Sequence, residues 1–369
     1  MSGKKIRVLV ADDSAFMRKI IGDILAVDPN IEVVGRARNG IEAIVLLSEL
    51  RPDVMTLDMD MPGKNGIEVL REIMSANPTP IIMVSSLTKE GANVTMQALK
   101  LGAVDFVTKP SGTISLDMKK VGGELIQKVK GASRAMLKNA LIHPVPQKPA
   151  SFASMAKMSD SHTPPPLPRR EITDKPELVV IGASTGGPNA LQTVIPALPA
   201  DFPLPILIVQ HMPSGFTTSF AQRLNENSEL AVSEACEGMP VRKGAVLIAP
   251  GGYHLVVERH GAELLCGLRE TPPVRSVRPA ADVLFKSVAE TTIGSTLAVV
   301  LTGMGKDGYD GVKLLRAKGA YVLVESKETC VVYGMPGAIA GEGLADEILP
   351  IDAMAEGIGR AVRQMMGAR

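Results

Sequence analysis

Tryptophan is absent, and aromatic residues of all kinds make up only 3% of the 369-residue chain. A surface that grips nucleobases or sugar rings by stacking therefore has little to be built from. An excess of one charge is lacking as well. Forty Lys and Arg meet 39 Asp and Glu, a formal net charge of +1, which gives no support for a nucleic-acid partner. No stretch reaches the roughly 18 consecutive apolar residues of a membrane span, so no membrane insertion is expected. The opening MSGKKIRVLVADD passes from its charges directly into a strand pattern and acids, without the apolar core and cleavage site of a secretion signal. Cysteine is scarce. Cys236, Cys266 and Cys330 are odd in number and far apart, which excludes metal-binding spacing and points to reduced thiols and a cytoplasmic setting.

What is present is a twofold alternation of strands and helices. The length calls for two domains, and a hydrophobic content of 45% can fill both cores. The expected architecture is α/β, with two doubly wound parallel-sheet domains, the second Rossmann-like, joined by a Pro-rich linker. The boundaries are drawn at 1–125, 126–176 and 177–369. In the first domain, strands are read at Ile6–Ala11, Ile31–Arg36, Val54–Asp58, Pro80–Ser85 and Val104–Thr108, with helical spacing at Ala15–Val27, Gly40–Leu50 and Gly66–Ala76.

Polar residues stand at the carboxyl ends of these strands, where ligands of such folds sit. The first strand ends in Asp12 and Asp13, the third in Asp58, the fourth in Ser85, and Lys109 follows the fifth. Three converging carboxylates repel one another unless a hard cation such as Mg²⁺ lies between them. A lysine and a hydroxyl nearby suit an incoming phosphoryl group. A single Asp would read as solvated rim; the set of five residues at these strand ends does not. With MPGKNG, the serine after PIIMV and DFVTKP, residues 5–125 resemble a response-regulator receiver domain. The resemblance implies that Asp58 accepts a phosphoryl group. It implies that Asp12, Asp13, Asp58 and the Asp60 main-chain carbonyl hold Mg²⁺, that Lys109 pairs with the phosphate, and that Ser85 and Phe106 form the switch pair.

Beyond about Gly131 the pattern decays, and 143–176 is rich in Pro, Ser and Lys. An extended spacer is expected, with an electrostatic contact to an acidic surface as the sharper alternative. Val121–Met136 is also compatible with a longer last receiver helix.

The second domain offers strands at Leu178–Ile181, Pro205–Gln210, Ala245–Ala249, His254–Glu258, Leu297–Leu301 and Tyr321–Glu325. Three end in the turns GASTGG, QHMPSGF and TGMGKDG, which a common sheet edge would bring together as Ser184, His211 and Asp307. A serine needs a base to become a nucleophile, imidazole serves near neutral pH, and a carboxylate fixes the imidazole tautomer. Of the five histidines, His143 and His162 fall in the linker, His254 in a strand and His260 in a turn, leaving His211 as the base. Each signal alone is weak: G-x-S-x-G is common and an Asp in KDG is usually a turn former. The Ser-His-Asp order also differs from that of α/β-hydrolases.

Two rivals stand beside this reading. IGASTGG also resembles a dinucleotide-binding phosphate loop, and Tyr309 with Lys313 has the Y-x-x-x-K spacing of short-chain dehydrogenases. Pro188 where a glycine is expected, Gln210-His211 where a ribose-binding acid is expected, and the glycines around Tyr309 count against it. A non-catalytic regulator that binds DNA or acts as a scaffold is the other, but no helix-turn-helix signal stands out.

IGASTGGP, VQHMPSGFT, APGGYH, SVRPAADVLF, LTGMGKDGYDG and VYGMPGAIA together make residues 177–365 resemble the catalytic domain of chemotaxis protein-glutamate methylesterases. That resemblance implies Ser184 as nucleophile, His211 as base and Asp307 as orienting acid, a Met304 main-chain amide at the oxyanion, and Thr185 and Gly186 close to the site. It implies a phosphorylation-activated hydrolase of methyl esters on chemoreceptor glutamates, with glutamine deamidation. Its partners would be methylated chemoreceptor helices and a histidine kinase as phosphodonor. No cofactor is expected for ester hydrolysis; Mg²⁺ belongs to the receiver.

Overall fold

The computed structural model describes residues 4–86, 88–109, 114–135 and 175–367. Residues 136–174 lie outside the described residues, so the Pro-rich linker stays an expectation.

The first domain alternates β1 (Ile6–Ala11), α1 (Ala15–Ala26), β2 (Ile31–Ala37), α2 (Gly40–Leu50), β3 (Val54–Asp58), α3 (Gly66–Ala76), β4 (Ile81–Ser85), α4 (Lys89–Lys100), β5 (Asp105–Thr108) and α5 (Ile114–Ala132). Helix starts are set by short polar side chains that satisfy otherwise unpaired amides. Ser14 accepts from Met17 N–H, Asn39 from Glu42 N–H, and Asn65 with Glu68 forms a reciprocal capping box. All strand pairs are parallel, in the order β2-β1-β3-β4-β5, and every residue of β3, β4 and β5 is buried. Helix α5 runs through 126–132, where Val129 and Ala132 pack into the core formed with Ile21, Leu25 and Leu125.

The second domain contains β6 (Pro176–Ala183), α6 (Gly187–Val194), β7 (Ile206–Gln210), α7 (Phe216–Asn227), β8 (Ala231–Glu234), β9 (Ala245–Ile248), β10 (His254–His260), β11 (Glu263–Arg269), α8 (Ala281–Thr291), β12 (Ser295–Val300), α9 (Tyr309–Ala317), β13 (Tyr321–Glu325), α10 (Met335–Ala340), β14 (Glu347–Leu349) and α11 (Ile351–Met365). Seven strands form one parallel sheet in the order β14-β13-β12-β6-β7-β9-β8. The expected strand at His254 belongs instead to a separate antiparallel hairpin, β10 with β11. Tyr309 opens a helix in spite of its flanking glycines, with the Lys313 ammonium 5.3 Å from its ring centroid.

The sheet order reverses around β6, so β12, β6 and β7 lie side by side with their carboxyl ends at one edge. That is the switch point where ligands of open parallel sheets bind.

The two domains share one apolar cluster. Met96, Leu99, Ala103 and Phe106 of the first belong to the same contact network as Leu191, Phe216 and Phe220 of the second. Phe106 and Phe216 stack with centroids 4.5 Å apart and planes at 22°. Asn189 Nδ2 on α6 donates to the Leu99 carbonyl at the end of α4, at 2.9 Å. Val331 packs against the α1–α5 core of the first domain.

Candidate active site

Strand β6 enters the central sheet with six consecutive buried residues, from Leu178 to Ala183. Ser184 leaves it at a turn that doubles back into α6. Gly186 takes φ +81°, where a side chain would be strained and would meet Val331. The turn is tied to its neighbours through main-chain bonds: Ser184 N–H donates to the Thr302 carbonyl at 3.0 Å, and His211 N–H to the Ala183 carbonyl at 3.1 Å. These contacts hold the ends of β12, β6 and β7 in fixed relation.

From that frame three side chains converge. Ser184 Oγ lies 3.0 Å from His211 Nδ1, and His211 Nε2 lies 2.7 Å from Asp307 Oδ2. A carboxylate can only accept, so the ring proton belongs on Nε2 and Nδ1 is left to receive the serine proton. Asp307, only 3% exposed, has no other charge partner than the imidazole among its hydrogen bonds; its remaining donors are two main-chain amides. Ala281 N–H reaches Oδ2 at 2.6 Å and Asp282 N–H reaches Oδ1 at 3.0 Å. Both amides belong to the first turn of α8, whose dipole favours negative charge there. Burial alone would raise the Asp307 carboxyl; His211 and the two amides outweigh it and hold the carboxyl below its ordinary value.

Met304 faces the first domain: a Cβ at Gly131 would sit 3.5 Å from its Sδ. Thr185 is 2% exposed, and its carbonyl accepts from Thr302 Oγ1 at 3.0 Å. Among the described residues, the amides of Thr185, Gly186 and Met304 donate to no main-chain carbonyl.

Several supporting residues were not legible as such in the sequence. Thr302 links the serine turn to the 330–332 loop, donating from Oγ1 to Thr185 O and accepting from Val332 N–H at 3.0 Å. Its own N–H goes to buried Glu325 at 2.8 Å. Gly303 passes so close to Ser184 that a Cβ there would fall 2.9 Å from Ser184 Cβ. Arg275 pairs with Asp282, which accepts from Gly311 N–H and so joins α8 to α9 behind Asp307. The only sequence signals for these were a lone acid closing the apolar YVLVE and an acid in the first turn of a helix.

A second polar cluster lies in the first domain. One carboxylate oxygen from each of Asp12, Asp13 and Asp58 falls within 4.8 Å of the others. Lys109 Nζ is 2.7 Å from Asp58 Oδ1 and 3.7 Å from Asp12 Oδ2. Asp12 Oδ2 and Asp58 Oδ2 are buried without a hydrogen-bond partner. Burial pushes Asp58 up to about 6 in spite of Lys109. Asp60 is exposed beside them. Ser85, fully buried, is engaged elsewhere: its hydroxyl donates to Gly91 O and accepts from Thr95 Oγ1 at 2.8 Å, both on α4. Phe106 is held between the Lys128 ammonium, 4.9 Å from its centroid, and Phe216.

Fold and sites together define a response-regulator receiver fused to a parallel α/β hydrolase domain. Residues 8–119 match the family model for the response regulator receiver domain, and 179–358 match that for the CheB methylesterase. The protein-glutamate methylesterase/protein-glutamine glutaminase of Symbiobacterium thermophilum is 49% identical, with 97% of this chain and 98% of that relative covered. Relatives of the same name from Halalkalibacterium halodurans and Thermotoga maritima are 47% and 46% identical, covering 98% and 95% of this chain and 99% and 96% of their own lengths. The chain belongs to the receiver-bearing CheB methylesterase family. The dehydrogenase and DNA-binding readings fall away with that. Among the described residues, no helix is long and apolar enough to cross a membrane.

Proposed function

We propose that the chain removes methyl esters from glutamate side chains of chemoreceptors, deamidates receptor glutamines at the same site, and is switched on by phosphorylation of Asp58. The observation that carries the chemistry is the unbroken relay from Ser184 through His211 to Asp307, at 3.0 and 2.7 Å. Ser184 Oγ attacks the side-chain γ-carbonyl while His211 Nδ1 takes its proton. Asp307 steadies the resulting imidazolium, and the Met304 amide, with Thr185 and Gly186 beside it, receives the developing oxyanion. Collapse of the tetrahedral intermediate expels methoxide, which leaves as methanol with the proton from His211. Water, deprotonated by the same imidazole, then cleaves the acyl-enzyme to free glutamate and Ser184. With a glutamine substrate, ammonia leaves in place of methanol. A cytoplasmic location follows from this substrate.

The acidic cluster fits a divalent cation, because three carboxylates converge there with a single lysine to balance them, and Asp12 Oδ2 and Asp58 Oδ2 are buried without a hydrogen bond. Asp12, Asp13, Asp58 and the Asp60 carbonyl would hold Mg²⁺. Bound there, Mg²⁺ would neutralise charge on the phosphoryl oxygens supplied by a histidine kinase. Lys109 pairs with the phosphoryl group on Asp58, and Ser85 turns from its α4 partners toward it. Phe106 follows that movement, which loosens the packing on α6 and α7 and frees the Ser184 edge for a receptor helix.

The test is methanol release from methylated receptor. Ser184→Ala should abolish it while Asp58 still takes up phosphate; persistent release would end this reading. A chain beginning at Pro176 should exceed the unphosphorylated full-length chain in activity. Equal rates would mean that the receiver recruits the enzyme and does not restrain it.

A further inference from the structure

Strand β7 places Ile206 and Ile208 in the same apolar cluster as α6 and α7. By strand alternation, Gln210 comes next on that face, and it is 2% exposed. A carboxamide ending an apolar strand face must account for its polar atoms. Its two N–H groups are both used: Nε2 donates to the Ser184 carbonyl at 3.0 Å and to the His211 carbonyl at 3.2 Å. The reversed amide would set its oxygen against two carbonyl oxygens, so these acceptors fix the orientation. Its Oε1 is buried without a partner, and a Cβ at Gly187 would overlap it. Glycine at the first position of α6 is what lets the amide lie against the nucleophile turn.

We infer that Gln210 is a positioning residue that sets the approach of Ser184 to His211 by clamping both their main-chain carbonyls with one side-chain amide. The inference rests on the proposed roles of those two residues. Main-chain bonds act beside it: Gly187 N–H also donates to Ser184 O at 2.7 Å within the serine turn, and His211 N–H to Ala183 O at 3.1 Å joins the two strand ends without touching Ser184 itself. Only the Gln210 amide bonds to the nucleophile and the base at once among the described residues. A carboxylate here would bring two acceptors against two acceptors, and an apolar side chain would leave the His211 carbonyl without this donor. The buried, unpaired Oε1 is a cost that an apolar residue would not carry, and it is explained if the two N–H groups are what the position requires.

The test uses the full-length, phosphorylated protein and methylated receptor. Gln210→Met keeps the length of the side chain and removes both donors. It should lower kcat by about a hundredfold, as expected for sub-ångström to ångström misplacement of reacting groups, with KM changed less than about threefold. The rate at which a fluorophosphonate labels Ser184 should fall in parallel. A second variant, Gly187→Ala, pushes the amide away from the opposite side and should reproduce the same split. Wild-type kcat in either folded variant would overturn the inference. In the wild-type protein the Gln210 side-chain amide protons should exchange with solvent slowly by NMR; rapid exchange would overturn it even if neither variant folds. Ser184→Ala separates the two levels. If it stays active, the catalytic reading has failed. If it is inactive while Gln210→Met keeps wild-type kcat, only the clamp has failed.

Discussion

Phe106 of the receiver and Phe216 of the catalytic domain stack face to face, with centroids 4.5 Å apart. One ring lies on β5, directly beside β4 with Ser85 at its end, and the other begins the helix that follows the His211 loop. A single aromatic contact therefore joins the strand paired with Ser85 to the helix that follows the His211 loop.

Removing that contact should mimic activation. A stacked aromatic pair is worth about 0.5–1.5 kcal/mol beyond its buried area, and each 1.4 kcal/mol is about tenfold in an equilibrium. Phe216→Ala should raise methanol release by the unphosphorylated chain roughly 2- to 12-fold. The phosphorylated enzyme should change by much less. Equal effects in both states would place Phe216 in the fold of the catalytic domain alone.

Asn189 offers an independent handle, since its amide donates to Leu99 O on the receiver at 2.9 Å. Asn189→Asp replaces the donor by an acceptor that faces a carbonyl. It should also raise basal activity, by roughly fivefold for a hydrogen bond worth about 1 kcal/mol. Comparing the two single variants with the double variant would show whether the contacts act as one latch.

Asp307→Asn should be far more damaging than the loss of a charge suggests. Both carboxylate oxygens accept: Oδ2 from Ala281 N–H and His211, Oδ1 from Asp282 N–H. An NH₂ at either position opposes a main-chain N–H. Placed toward His211, it would also impose the wrong tautomer. A kcat loss on the order of 10³–10⁴ is expected, together with a lower urea midpoint. A loss of kcat without the stability change would mean that the amides do not hold this carboxylate in solution.

Glu325 should leave a mark on stability against pH. It is 1% exposed, and burial pushes its carboxyl from an ordinary 4.5 up to about 7, against the N–H of Thr302 and the hydroxyl of Thr329. The folded chain keeps this proton in a range where the unfolded chain has lost it. Stability from this group is therefore complete below the unfolded value of 4.5, falls as pH rises toward about 7, and is level beyond it. The shift corresponds to roughly 3 kcal/mol at most. Glu325→Gln should flatten that slope in urea unfolding between the two values. An unchanged slope would assign it to other groups.

The strands were legible because they are short apolar runs that stop at Gly, Asp or Ser. Val54–Asp58 and Tyr321–Glu325 have the ends that their composition announces. Ser184 and His211 were legible as candidates because each directly follows a strand, and Asp307 because it lies in the glycine-rich turn after β12. β8, β11 and β14 were not: AVSE and EIL are short and half exposed, and they become strands only by pairing with β9 and β13. The hairpin of β10 and β11 hid behind a pattern that also suits a central strand. Gln210, Thr302 and Glu325 act through bonds between residues 23 to 117 positions apart, which no local spacing records. Ser85 was legible as a switch candidate, but its attachment to α4 depends on Thr95, ten residues on.

The apolar cluster that crosses from Met96 and Phe106 to Phe216 and Phe220 also sets a condition on life after activation. Opening that seam, as the proposed activation requires, would uncover two greasy surfaces, one on each domain. The activated molecule would then be its stickiest form. Prompt loss of the phosphoryl group would protect it from self-association as well as end the signal.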